Sequence, residues 1–191
     1  MFDVIGPEEF KCIPWKNGKG ETLELAISDG HNLQSFDWRI SIAQLDEDGF
    51  FSDFSGYQRA LVMLEGNGIE ITYEQGQLQR LTGRLPYTEF DGGLRTFGKL
   101  LDGPITDLNI ITKSHRFQTI VETHAKPSRV RVQAEKLCFA YSHRTTLTLW
   151  PAEGNDEYTL PAGHLLKMES PASGAWTISG EEWTLIYLTG Y

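Results

Sequence analysis

Cysteine is scarce in this chain of 191 residues: Cys12 and Cys138 stand alone, and neither lies in a Cys-x-x-Cys or Cys/His spacing. No disulfide framework or zinc knuckle is suggested, and two reduced, partly buried thiols are expected. Long apolar runs are missing too, since none nears the roughly 20 residues that a membrane helix requires. The start, Met1 to Phe10, carries Asp3, Glu8 and Glu9 in place of a basic stretch and an apolar core, so it does not read as a secretory signal. Positive charge is in short supply: 17 Lys and Arg face 26 Asp and Glu, for a formal net charge of -9. That balance repels phosphate backbones at long range, so neither nucleic acid nor a membrane is an expected partner. The expected place is the cytoplasm.

Catalytic and metal signatures are sparse as well. His31, His115, His124, His143 and His164 show no metal-binding spacing such as His-x-His, and no metal or other cofactor is expected. There is no Gly-x-Ser-x-Gly turn, and Gly18-x-Gly20 lacks the helix and the Lys-Ser/Thr of a phosphate loop. Covalent catalysis and nucleotide binding therefore have little support.

What the chain does have is aromatic side chains, 5 Trp, 7 Tyr and 10 Phe, and a period of two. Alternation is clearest from Phe36 to Ile42, where even positions are apolar and odd ones polar, the pattern of a half-buried strand. Arg59 to Leu64 and Ile69 to Tyr73 flank Glu65-Gly66-Asn67-Gly68, which reads as a hairpin. Further strands are expected at Gln77–Leu81, Asp107–Thr112, Phe117–Glu122, Val130–Ala134, Leu137–Tyr141, Thr145–Trp150, His164–Glu169 and Trp183–Leu188. A period of 3.6 is nowhere sustained, so helices should be short and few. Many short strands between Gly, Pro, Asp and Ser clusters indicate a sandwich or barrel. The Leu61–Tyr73 region followed by Leu85-Pro86 is echoed by Leu137–Leu149 followed by Leu160-Pro161, roughly 75 residues later, a length suited to one small barrel. The expected architecture is all-β, two jelly-roll type barrels: an N-terminal one over 1–115 and a degenerate C-terminal one over 116–191.

Two stretches resemble the cupin superfamily, whose barrels hold a metal. Leu61 to Gly68 is similar to the close of the first cupin motif, and Pro161-Ala162-Gly163 to the opening of the second. The motif spacing then puts Arg59 where a glutamate ligand would stand, Ser52 to Ser55 where the two histidines would stand, and Leu166 at the histidine position of the second motif. A more specific resemblance is to the HutD family and its relative Ves. It rests on Pro14-Trp15-Lys16-Asn17-Gly18-x-Gly20 with Thr22 and Glu24, on Phe36-Asp37-Trp38-Arg39-x-Ser41-x-Ala43, and on Asp48-Gly49-x-Phe51-Ser52-x-Phe54-x-Gly56. Arg59, Leu61, Gly66-x-Gly68 and Gly103-Pro104 before Asp107-Leu108-Asn109 complete it. Lys19 and Leu108 depart from the pattern, which usually has glycine and phenylalanine there. The resemblance implies a bicupin without metal and a role in sensing or limiting an intermediate of histidine breakdown, such as urocanate or formylglutamate, or in a stress response.

Arg59 bears the sharpest chemical expectation. Metals bind deprotonated O and N donors, whereas a guanidinium repels a cation and grips a carboxylate through two hydrogen bonds. The bland alternative is a structural ion pair, for instance with Asp53. Arg39 and Ser41 share the polar face of their strand, directed into a cavity or out to water. Trp15 and Asn17 combine a flat wall with an amide suited to a planar polar ligand, and Asn109 offers a second amide. The expected ligand-binding set is Trp15, Asn17, Arg39, Ser41, Arg59 and Asn109, holding a small anionic metabolite. An enzyme in the same cavity, either an isomerase or hydrolase using carboxylates or a metal-dependent oxygenase, stays open, as do a protein-interaction domain and a homodimer.

Overall fold

A computed structural model describes residues 2–15, 20–28, 35–132, 137–169 and 175–190. All regular structure among them is β, with no helix, so the short helices expected from the sequence do not occur in these segments. The chain falls into two compact units, Phe10–Phe117 and Met1–Glu9 together with Gln118–Tyr191. The start of the chain thus belongs with its C-terminal half, because β1 (Phe2–Ile5) pairs antiparallel with Leu165–Met168.

The unit Phe10–Phe117 contains β2 (Lys11–Pro14), β3 (Glu21–Ile27), β4 (Trp38–Leu45), β5 (Gly49–Phe50), β6 (Tyr57–Glu65), β7 (Ile69–Tyr73), β8 (Leu78–Leu81), β9 (Tyr87–Asp91), β10 (Thr96–Leu100) and β11 (Ile105–Lys113). They form a six-stranded sheet, β2-β3-β4-β11-β6-β9, and a four-stranded sheet, β5-β10-β7-β8. The other unit adds β12 (Phe117–His124), β13 (Ser128–Val132), β14 (Leu137–Ser142), β15 (Leu147–Pro151), β16 (Tyr158–Leu160), β17 (Leu165–Met168), β18 (Trp176–Gly180) and β19 (Trp183–Gly190). Its sheets run β1-β17-β14-β19-β12 and β13-β18-β15-β16. The neighbours β4-β11-β6-β9 and β5-β10-β7-β8 reappear as β12-β19-β14-β17 and β13-β18-β15-β16, so the internal echo seen in sequence is a repeated pairing scheme.

One sequence expectation is corrected. The segments on either side of Glu65-Gly66-Asn67-Gly68 do not form a hairpin: β6 lies in the six-stranded sheet and β7 in the four-stranded one. The glycines turn a corner between sheets. Gly66 has φ +103°, and a Cβ there would sit 2.6 Å from the Pro104 carbonyl oxygen, so the corner is closely packed as well as left-handed. The strand expected over Phe36–Ile42, β4, also begins later, at Trp38, with Phe36 buried ahead of it against Tyr57.

The two interiors differ in chemistry. In the C-terminal unit the buried residues form an apolar cluster that includes Ala140, Leu149, Leu166, Ile178, Trp183 and Leu185. In Phe10–Phe117 a smaller apolar cluster around Leu61, Met63, Ile69, Ile71 and Ile105 shares the interior with buried polar side chains, among them Glu24, Arg39, Ser41, Arg59, Asp107 and Asn109.

Candidate functional site

Antiparallel register explains why those polar residues meet. Across the six-stranded sheet, Ile27, Arg39, Ile111, Arg59 and Phe90 fall in one cross-strand row. The next row reads Glu24, Ser41, Asn109, Leu61 and Thr88, and the one after it Thr22, Ala43, Asp107 and Met63. Alternation along each strand puts all three rows on one face. That face lines a cavity of about 670 Å³ to which Trp15, Phe51 and Phe54 also contribute.

Five residues of the expected set, Trp15, Arg39, Ser41, Arg59 and Asn109, therefore border one cavity. Asn17 lies outside the described residues. The Trp15 indole nitrogen donates to Thr22 Oγ1 at 2.8 Å, which fixes the ring at the cavity wall. Arg39 is buried, but its Nε donates to Glu24 Oε2 at 2.8 Å, so its charge is already met inside the sheet. Arg39 thus borders the cavity with the rest of the expected set, held there by its pairing with Glu24.

Arg59 is 5% exposed and differently placed. Its Nη2 donates to Asn109 Oδ1 at 2.7 Å and its Nη1 reaches the Ser52 carbonyl at 3.4 Å, while Nε has no partner among the described residues. Asp53, the structural partner considered from sequence, instead accepts hydrogen bonds from the Ser55 amide and hydroxyl at 2.8 and 2.7 Å. The guanidinium faces three rings, Phe51, Phe54 and Phe90, at 5.2, 5.4 and 5.3 Å. Each such contact is worth on the order of 1 kcal/mol where water is excluded, which partly offsets desolvation. Burial still draws the Arg59 pKa down to about 10, against the field of Asp107.

Asp107 was not among the residues expected from sequence. It is 1% exposed, accepts from Asn109 Nδ2 on Oδ2 at 2.7 Å, and has no partner for Oδ1 among the described residues. Burial pushes its pKa up to about 6, against the pull of Arg59 and of the Asn109 hydrogen bond. Its signal was its spacing, since a strand carrying Asn109 inward also carries Asp107 inward. Phe51 and Phe54 come from the connection between β5 and β6 and Phe90 from β9, and although the first two stand in the family motif, no periodicity marks the three as a cluster.

Neither thiol has the environment of a nucleophile. Cys12 is exposed and donates to Glu21 Oε2 at 2.8 Å, which holds its pKa above the ordinary value. Cys138 is buried, and its pKa is pushed up to about 12.

Two antiparallel sheets around a cavity, present as a duplicated pairing scheme, define a cupin-type protein. The Cupin 2 conserved barrel domain protein from Leptotrichia buccalis shares this fold at a TM-score of 0.52 and 10% identity, covering 94% of this chain and 92% of that one. Within that class the chain belongs to the HutD family, whose model matches residues 7–186. It is 33% identical over 160 residues to an uncharacterized 21.2 kDa protein in the hutC 3′ region of Pseudomonas putida, covering 84% of this chain and 78% of that protein. It also resembles the structure of HutD from Pseudomonas fluorescens SBW25, described for a formate condition, at a TM-score of 0.83 and 26% identity over the full length of both chains. These relatives give the family its histidine-utilisation context.

A cupin fold implies a metal ion, and the donor set here does not fit one. No three His, Cys, Asp or Glu side chains converge among the described residues, and the cavity wall carries a fixed guanidinium at Arg59.

Proposed function

We propose that the chain is a receptor for a small carboxylate metabolite, acting as a regulator or sensor in histidine utilisation or a stress response, with urocanate and formylglutamate as the first candidates. The observation that carries this reading is the state of Arg59. A buried guanidinium in a cavity wall, with no ion pair among the described residues, one N–H unpaired and Asp107 reached only through Asn109, lacks an anion in direct contact. Burying an isolated charge is costly unless it is paired, and a ligand carboxylate supplies two parallel acceptors for the guanidinium fork. The cytoplasm, where such metabolites are made and consumed, is the proposed place of action.

The test is thermal stabilisation of the full chain by urocanate and by formylglutamate. At 100 times its dissociation constant a ligand adds about 2.7 kcal/mol, a rise of roughly 5–10 °C in melting temperature for a protein of this size. Arg59→Gln should abolish the rise. A variant that folds and binds as tightly as the parent removes the basis of the reading.

A further inference from the structure

The amide of Asn109 is fixed by what it touches. Its oxygen accepts from Arg59 and its nitrogen donates to Asp107, so one side chain links a cation to an anion across the cavity wall. Each end of this chain is left incomplete: Arg59 Nε lacks an acceptor and Asp107 Oδ1 lacks a donor, and both atoms are shielded from solvent. Both residues border the same cavity. Buried polar groups in native proteins are almost always paired, so two orphans flanking one cavity call for complementary groups on one guest. The outer part of the lining agrees. Asp46, Glu47 and Asp48, exposed residues between β4 and β5, border the same cavity and set a negative field at its entrance. A purely anionic guest suits that field less well than one that also carries a proton donor.

We infer that the cavity recognises a guest with two unlike ends, a carboxylate set against Arg59 and an N–H donor of an imidazole, amide or ammonium group set against Asp107. This rests on the carboxylate reading and narrows it. Burial supports the assignment, because a carboxyl held near neutrality accepts from a polar N–H as an anion and donates to a ring nitrogen once protonated.

Calorimetry with a matched pair of acids separates the two readings. Imidazole-4-propionate and 3-phenylpropionate share a carboxylate, a two-carbon spacer and a planar ring, and differ in the ring nitrogens that supply the N–H, so the comparison is run above the pKa of the imidazole, where both rings are neutral. The full chain should bind the imidazole acid at least tenfold more tightly, since hydrogen bonds to charged groups are the strong ones. Asp107→Leu should bring the ratio to about one with the phenyl acid still bound, and Arg59→Gln should lose both. Should Asp107→Leu fail to fold, Asp107→Asn should lower the ratio at least threefold. Equal binding of the two acids by the parent chain overturns the inference while leaving the Arg59 reading intact. Binding of neither overturns both.

Discussion

Replacing Asp107 by Asn should change the pH dependence of folding in a calculable way. The carboxyl rises from an ordinary 3.8 to about 6 on folding, chiefly through burial, so between those values the native state holds a proton that the unfolded chain has released. Stability from this group is therefore complete below pH 3.8 and is lost as pH climbs through 6. A displacement of roughly two units corresponds to about 3 kcal/mol by linkage. Asn keeps the acceptor for Asn109 and does not titrate. Arg59, at about 10, stays protonated throughout this window and adds no slope. Thermal melts of both proteins from pH 4 to 7 should show the variant gaining on the parent by about 3 kcal/mol, or roughly 6–12 °C, with the gain concentrated between pH 4 and 6. Subtracting the two profiles cancels every carboxylate the pair shares. Parallel profiles would refute the claim that Asp107 is buried as an unevenly paired acid.

The Arg39–Glu24 pair and the corner at Gly66 yield two further outcomes. Glu24→Gln leaves a buried guanidinium without its anion and should cost about 3–5 kcal/mol in urea denaturation, while Glu24→Leu combined with Arg39→Met should recover most of it. Gly66→Ala should cost more than Gly56→Ala by at least about 1 kcal/mol in the same assay. Both glycines have positive φ, but only at Gly66 would the new methyl meet backbone, at the Pro104 oxygen and the Ile105 Cα, whereas nothing lies within 4 Å at Gly56.

How much of this was legible in the sequence follows from the range of each signal. Alternation is local, so β4, β11 and β19 could be read from their own residues, and so could the shared face of Arg39 and Ser41, but whether that face meets a cavity or water could not. Which sheet a strand joins is not local. The glycines at 66 and 68 would serve a hairpin or a corner equally, and the choice is set by Pro104 and Ile105 packed against the turn. Short strands such as β5 and β10, the latter with Gly98 in its middle, were missed because two to five residues hold too little alternation to stand out.

The site divides in the same way. That Arg59 points inward could be argued from the position it occupies. That Arg39 is neutralised could not, because its partner Glu24 is 15 residues away and reaches it only after a register shift between Glu24 and Ala26. Without that irregularity, the alternation of β3 against β4 would change its relation to the Arg39 row. The distinction between one arginine already matched and one still unmatched thus depends on a break in a ladder of hydrogen bonds. On this distinction, more than on the number of positive charges, rests the proposed preference of the cavity for a single carboxylate.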